Sequence, residues 1–177
     1  SCGLPQPDTM VRILDDSGEP VGPGELGEVA ISGPEVASEY INNPTATSDQ
    51  IPAGELRTGD VGYMNEDGWL FIVDRKKDMI NASGYKVWPR EVEDVLYTHP
   101  AVQEAAVVGV PDEYRGEDVA AFVTLQPGAE ATPEEIIAYC RDRLASFKAP
   151  HQATFIDELP KTSSGKILRR TIRADAA

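Results

Sequence analysis

The chain is poor in cysteine. Its 177 residues include two, Cys2 and Cys140, which lie far apart in the sequence. Such a pair gives neither a disulfide framework nor the short spacings of a metal-ligand set. A reducing compartment fits best, so we expect a cytoplasmic location and no metal site built from this chain.

The chain is also poor in basic residues and in long apolar runs. It has 16 Lys and Arg against 30 Asp and Glu, a formal net charge of -14. Because a nucleic-acid surface needs a basic face, this balance argues against a nucleic-acid partner. No apolar run approaches membrane-spanning length, and no charged-then-apolar leader opens the chain. The chain starts without Met, in a turn-rich phrase, and we expect it to be a piece of a longer protein.

A lysine in the tail is the most informative residue present. Lys166 follows Ser163-Ser164-Gly165, which can form a tight turn, and a basic helix start comes next. An ammonium on such a loop can stabilise negative charge that develops on a transferring phosphate. A phosphate-cradling P-loop is excluded, because its pattern needs Gly at position 160 and Ser or Thr at position 167. The alternative is a solvated basic helix end with no catalytic role.

Residues 1–73 show short apolar stretches separated by turn signals. The pattern predicts strands over 10–14, 28–33, 61–64 and 69–73. Asn65-Glu66-Asp67-Gly68 is a strong hairpin signal between the last two strands. We therefore expect a small β-barrel-like subdomain or a curled sheet.

After Asp74 the pattern changes to alternating helices and strands. Pro89 begins one helix, which extends to Tyr97, and a second helix begins after Thr132 and is expected to run to about Ala145. Strands are predicted over 102–110, 119–125 and 153–156, with a loop over 111–117. The fold class is therefore α+β, with a compact domain over 78–177 in which helices cover a three-stranded sheet.

Four consecutive charged residues, 74–77, separate the two parts. Such a run suits a solvated joint better than a core element. It is either a hinge, whose residues absorb a dihedral change as one domain rotates on the other, or a charged connection between strands. The sequence alone does not separate these two interpretations.

Four motifs occur in one order along the chain: Gly24-Glu25-Leu26-Gly27-Glu28-Val29; Arg57-Thr58-Gly59-Asp60; Asp74-Arg75-Lys76-Lys77 with Ser83-Gly84-Tyr85 and Glu91-Val92-Glu93; and Ser164-Gly165-Lys166. Together they resemble the C-terminal portion of the adenylate-forming superfamily, which comprises acyl-CoA synthetases, luciferases and peptide-synthetase adenylation domains. The run over 78–93 looks closest to medium- or long-chain fatty acyl-CoA ligases. The resemblance spans nearly the whole chain.

The resemblance implies an AMP-forming acid–thiol ligase. Such enzymes join a carboxylic acid to ATP as an acyl-adenylate, and the C-terminal domain then rotates so that CoA can form the thioester. The resemblance further implies that Lys166 is the catalytic lysine of adenylate formation and that Asp60 binds the ribose hydroxyls. Arg75 would contact ribose or phosphate oxygens, and Lys77 would be the hinge position. The alternatives are a turn aspartate for Asp60 and a surface ion pair for Arg75.

The resemblance also implies a CoA site formed by Ser83, Gly84, Tyr85 and Phe147. Gly84 would let the backbone approach the pantetheine, since it has no side chain. Relatives carry basic residues shortly after the position of Phe147, where this chain has Ala149 and His151. This departure puts the CoA phosphate contacts in doubt, and Lys148 or Arg115 could replace them.

Several parts of such an enzyme are missing from the chain. It has no lysine-containing ATP phosphate loop and no Tyr-Gly-x-Thr-Glu phrase. We expect the large N-terminal domain of the parent chain to supply the acyl pocket and most Mg²⁺ contacts, and the fragment alone to be inactive. Membrane association would suit a lipid-handling enzyme, although the acidic composition gives it no support. Two alternatives remain: an adenylation domain that loads a carrier protein, and a non-catalytic interaction module.

Overall fold

The computed structural model describes residues 1–176, which form two compact units. The first unit ends at Lys77 and the second begins at Asp78. The predicted hinge, residues 74–77, lies just before this division: Asp74 and Arg75 end a strand, and Lys76–Asp78 form a short 3-10 turn. Rotation about these residues stays a prediction.

The first unit is built on an open antiparallel sheet. Its strands are β1 (Met10–Leu14), β2 (Gly27–Ser32), β3 (Leu56–Met64) and β4 (Leu70–Arg75), ordered as in the sequence. The hairpin between β3 and β4 is confirmed, because the side chain of Asn65 accepts the Trp69 N–H at 2.8 Å and Gly68 adopts φ +81°. Helix α1 (Pro44–Gln50) and a 3-10 turn (Pro52–Gly54) precede β3 and were not predicted.

The sheet does not close into a barrel. Closure would need β1 to pair with β4, and the described strands leave both at the edges. The outer edge of β4 instead pairs with the start of the chain: Cys2 N–H donates to Leu70 O at 2.7 Å, and Leu70 N–H donates to Gly3 O at 3.0 Å. The α+β class is confirmed, whereas the barrel-like description is replaced by an open sheet.

The second unit contains a five-stranded sheet rather than the predicted three-stranded one. The strands are β5 (Ile80–Ala82), β6 (Tyr85–Val87), β7 (Val102–Asp112), β8 (Gly116–Leu125) and β9 (Gln152–Phe155). Their order is β6-β5-β8-β7, and β9 pairs in parallel with β8. The short hairpin of β5 and β6 was missed because three-residue strands carry almost no periodic signal.

The loop predicted over 111–117 is shorter in the structure. Strands β7 and β8 pair as far as Asp112 and Gly116. The Asp112 carboxylate accepts the N–H groups of Arg115 and Tyr114 at 2.8 and 2.9 Å, which lowers the pKa of this carboxyl group. Gly116 supplies a positive φ of +76°, so the chain reverses within three residues.

Helices cover both faces of this sheet. The helices are α2 (Pro89–Leu96), α3 (Pro133–Arg141) and α4 (Arg169–Asp175). Helix α3 begins after Thr132 as predicted, and the structure adds a capping box of Thr132 and Glu135. The helix ends at Arg141 and not near Ala145. None of the helices in residues 1–176 is long and apolar enough to cross a membrane.

Alternate residues of β7 and β8 are buried in two separate clusters. Val107 and Val119 pack with α2 and α3 residues in one cluster. Val108 packs with Leu159 and Ile172 in the other. Because Leu159 and Ile172 flank the tail segment on either side, this second cluster fixes both ends of the loop that carries Lys166.

Candidate functional site

The Thr-Gly-Asp motif lies on a wide bulge in β3. Glu28 pairs with Val61 and Ala30 with Arg57, so Thr58, Gly59 and Asp60 all lie opposite the single residue Val29. The Thr58 hydroxyl donates to Val29 O at 2.8 Å and accepts the Asp60 N–H at 3.1 Å. Gly59 adopts φ +71°, which glycine tolerates without strain. The bulge therefore leaves Asp60 out of the ladder between β2 and β3.

Asp60 and Arg75 lie opposite each other on β3 and β4. Arg75 Nε is 3.3 Å from Asp60 Oδ1, and the side chains are 57% and 33% exposed. An ion pair this exposed contributes about 0–1 kcal/mol to stability. Both groups can therefore exchange this contact for a ligand at little cost. Arg75 thus forms the surface ion pair that was the alternative given for it, and ribose binding by Asp60 stays a prediction.

A cavity of about 450 Å³ adjoins this pair in the first unit. Its volume lies in the range of small-molecule sites. The cavity is lined by Glu28, Gln50, Thr58, Gly59, Arg75, Lys76 and Lys77. Lys76 Nζ is held by Glu28 Oε2 at 2.9 Å. Three cations and one carboxylate line the walls, which favours an anionic ligand.

Lys166 lies at the end of a closed hairpin. Lys161 and Ile167 form a β-bridge, and Thr162 N–H donates to Lys166 O at 2.8 Å. The Thr162 hydroxyl accepts the Lys166 N–H at 3.1 Å, and Gly165 adopts φ +81° at the turn. The predicted turn and the helix that begins after it are present, since α4 starts at Arg169.

The Lys166 ammonium is exposed, and no carboxylate among residues 1–176 forms an ion pair with it. Its neighbour Lys161 differs: Lys161 Nζ contacts Glu104 at 2.7 Å, which raises the pKa of the Lys161 ammonium. The hairpin therefore presents one unpaired cation. Thr162, which organises the turn, was missed by sequence reasoning, because a threonine before a Ser-Ser-Gly run gives no distinct signal.

The residues predicted to bind CoA lie together in the second unit. Ser83 and Gly84 form the exposed turn between β5 and β6, with φ of +54° and +84°, and the Asn81 side chain accepts the Gly84 N–H at 3.0 Å. The Tyr85 ring stacks on Phe147, with centroids 4.5 Å apart and planes 24° from parallel. The resemblance implied one site for these four residues, and the stack of Tyr85 on Phe147 provides an aromatic surface next to the turn. Their role in binding CoA stays a prediction.

The two cations considered as replacements for CoA phosphate contacts already have partners. Lys148 Nζ contacts both carboxylate oxygens of Glu91, at 2.6 and 2.8 Å. Arg115 Nη1 is 3.2 Å from Asp118 Oδ1, and His151 Nδ1 lies 2.8 Å from the same oxygen. Ala149 is buried. Arg115 and His151 therefore approach the same oxygen of Asp118, and Arg115 donates a hydrogen bond to it.

In residues 1–176, no group of three or more His, Cys, Asp or Glu residues could hold a metal ion. Cys140 is buried, and burial raises the pKa of its thiol to about 11. A thiol with so high a pKa is a poor nucleophile near neutral pH.

Comparison with known proteins defines the class. The AMP-binding enzyme C-terminal domain model matches residues 91–166, and the AMP-binding enzyme model matches residues 1–41. The chain therefore belongs to the AMP-binding, adenylate-forming enzymes and corresponds to their C-terminal portion, as its motifs indicated.

Individual proteins that resemble this chain have more specific names than the family. The chain is 51% identical over 173 residues to a long-chain-fatty-acid–CoA ligase of Bacillus subtilis (strain 168), covering 97% of this chain and 31% of that relative. It is 44% identical to the fatty acid–[acyl-carrier-protein] ligase ScoC of Streptomyces coeruleorubidus, covering 98% of this chain and 33% of ScoC. The crystal structure of ATP-bound MatB from Rhodopseudomonas palustris matches with a TM-score of 0.93 and 31% identity, over 98% of this chain and 35% of MatB. The chain thus spans about a third of the length of each.

Proposed function

We propose that this chain is part of an AMP-forming acyl-CoA ligase that activates a fatty acid. A carboxylate attacks the α-phosphate of ATP, which gives acyl-adenylate and releases pyrophosphate. The CoA thiol then attacks the acyl carbon, which gives the thioester and releases AMP. The observation that supports this most is the unpaired Lys166 ammonium on a closed hairpin, in a chain 51% identical to a long-chain-fatty-acid–CoA ligase.

Asp60 and Arg75 are proposed to hold the nucleotide. The Asp60 carboxylate can accept hydrogen bonds from two ribose hydroxyls, and charged acceptors make the stronger bonds. Arg75 would exchange its contact with Asp60 for ribose or phosphate oxygens. The cationic cavity beside them supports this assignment, since its walls carry Arg75, Lys76 and Lys77.

Lys166 is proposed to act in adenylate formation. Negative charge builds on the α-phosphate oxygens as the carboxylate oxygen attacks, and an ammonium near both groups lowers the energy of that state. The hairpin suits this role, because Thr162 and Gly165 fix the backbone on both sides of the turn while the side chain stays exposed.

The second half-reaction would use the turn at Ser83 and Gly84 with the stack of Tyr85 on Phe147. Nothing within 4 Å surrounds the position that a side chain on Gly84 would take, so the backbone there is open to a ligand. Lys77 ends the first unit, and we propose that it is the hinge about which the second unit moves. The Mg²⁺ that accompanies ATP is proposed to bind mainly outside this chain.

A second candidate function is transfer of the acyl group to a carrier protein. The 44% identity to ScoC favours it specifically, since that relative is named as a ligase of acyl-carrier protein. Both functions share the first half-reaction and differ in the thiol. The test is to supply the full-length protein with ATP and a fatty acid, and with either CoA or a phosphopantetheine-bearing carrier protein. Acyl-CoA formation supports the first proposal, acyl-carrier formation supports the second, and no pyrophosphate release from either mixture contradicts both.

A further inference from the structure

One arginine joins the end of the Lys166 hairpin to two acidic side chains elsewhere in the second unit. Arg169 Nη2 lies 2.7 Å from Oε2 and 2.9 Å from Oε1 of Glu93, and Arg169 Nε lies 3.2 Å from Oε1. Arg169 Nη1 lies 3.7 Å from Asp78 Oδ2. The guanidinium therefore makes a bidentate contact with α2 and also reaches the first residue of the unit.

Glu93 is itself held firmly in the core. Its side chain is 8% exposed, and Oε1 accepts the Val107 N–H at 2.9 Å. Val107 belongs to β7, which lies at the edge of the sheet, so Glu93 satisfies a backbone donor that no strand pairs with. A bidentate pair of guanidinium and carboxylate has a defined geometry. Arg169 is consequently fixed to both α2 and β7.

The Lys166 hairpin depends on how its two ends are anchored. From Lys166 the chain passes through Ile167, which bridges to Lys161, and Leu168, whose N–H donates to Pro160 O at 2.8 Å. It then reaches Arg169 directly. A two-stranded hairpin is marginally stable alone. Buried Leu159 fixes one end, and at the other end the contact of Arg169 with Glu93 adds to the burial of Ile172.

We propose that Arg169 is a positioning residue for Lys166: its bidentate contact with Glu93 fixes the returning strand of the hairpin and so the direction in which the ammonium projects. This inference rests on the proposed role of Lys166 in adenylate formation. Charge stabilisation depends on placement, and a displacement of 1 Å can lower a rate roughly 100-fold. The contact with Asp78 ties the same hairpin to the residue that follows Lys77.

The test compares Arg169→Gln with Arg170→Gln in the full-length protein. Arg170 is the matched control, because it is the next residue of α4, is exposed and forms no ion pair among the described residues. Three quantities are measured: kcat and KM of ATP–pyrophosphate exchange, thioester formation from supplied acyl-adenylate and CoA, and hydrogen exchange of the amides over 162–166. The Arg169→Gln variant is expected to lose roughly 100-fold in kcat of exchange. Its KM for ATP and its thioester formation should be unchanged, with faster hydrogen exchange over 162–166.

Two further variants guard against simple misfolding. Removing Arg169 takes a cation away from a buried carboxylate, which can destabilise the unit. The double variant Glu93→Gln/Arg169→Gln replaces the ion pair by two neutral amides of similar volume and should fold, yet still lose exchange because the bidentate fork is absent. Arg169→Lys keeps the charge and should restore part of the rate.

The outcomes separate this inference from the proposed function. If Arg169→Gln equals Arg170→Gln while Lys166→Ala still abolishes exchange, the positioning role is wrong and the proposed function stands. If both half-reactions fall equally and KM rises, Arg169 is a general structural contact and the inference is again wrong. If Lys166→Ala leaves exchange intact, the catalytic assignment and the positioning role both fail.

Discussion

Replacing Asp60 by Asn should weaken nucleotide binding and leave the free energy of unfolding nearly unchanged. The substitution keeps the volume of the side chain and removes its charge. In the structure the carboxylate has one cation partner, Arg75 at 3.3 Å, and both side chains are partly exposed. An exposed pair of this kind contributes about 0–1 kcal/mol, so the free energy of unfolding should fall by less than about 1 kcal/mol.

The effect on ATP should be much larger. A hydrogen bond to a charged acceptor contributes about 1.5–3 kcal/mol, and Asp60 is proposed to accept two from the ribose. The neutral Asn oxygen still accepts hydrogen bonds, at about 0.5–1.5 kcal/mol each, so losing the charge should cost about 2–3 kcal/mol of binding free energy. This corresponds to roughly 30- to 160-fold weaker ATP binding. Replacing Arg75 by Gln should weaken binding less, since this cation is the more exposed partner.

The measurements are ATP affinity by titration calorimetry and urea unfolding of the full-length protein. Asp67→Asn is the control, because Asp67 lies on the exposed turn of the neighbouring hairpin and should change neither quantity. Unchanged ATP affinity in Asp60→Asn would refute the nucleotide role. A loss of stability above about 2 kcal/mol would show that the contact with Arg75 is structural instead.

Three further predictions concern the rest of the chain. Leu159→Ala should destabilise the protein by about 2–5 kcal/mol in urea unfolding, because it empties the cluster under the Lys166 hairpin; an unchanged midpoint would contradict that packing. Because the pKa of the buried Cys140 thiol is raised to about 11, an alkylating reagent near neutral pH should modify exposed Cys2 and spare Cys140. Mass spectrometry that shows both thiols modified at equal rates in folded protein would overturn this assignment. The 177-residue chain alone should release no pyrophosphate from ATP and a fatty acid, and sustained release would show that it holds a complete site.

Local signals predicted most of the fold. The hairpin at residues 65–68 and the helix that begins at Pro89 need information from a few neighbouring residues, and both are present. The capping box of α3 is likewise local. What failed depends on distant partners: β5 pairs with β8 through Ala82 and Gly116, and the strands of the first unit stay open because the start of the chain covers the edge of β4.

In the candidate site, too, sequence reasoning identified the residues in local motifs and missed the contacts between distant residues. Lys166, Asp60 and Tyr85 were identified as candidates because they lie in motifs of residues close in sequence, and their roles stay predictions. The contact of Arg169 with Glu93 joins residues 76 apart, and a single sequence contains no signal for such a pair. The bulge at Asp60 was also missed, since it depends on the register of β2 against β3 and not on the composition of either strand.

The central claim is that Lys166 acts in adenylate formation. The most direct measurement is to compare the two half-reactions of the full-length protein carrying Lys166→Ala: ATP–pyrophosphate exchange with a fatty acid, and acyl-CoA formation from supplied acyl-adenylate and CoA. The account predicts that exchange is lost while thioester formation is retained, with circular dichroism unchanged. Exchange that persists at the rate of the unmodified protein would contradict it and would leave the hairpin as a solvated basic loop.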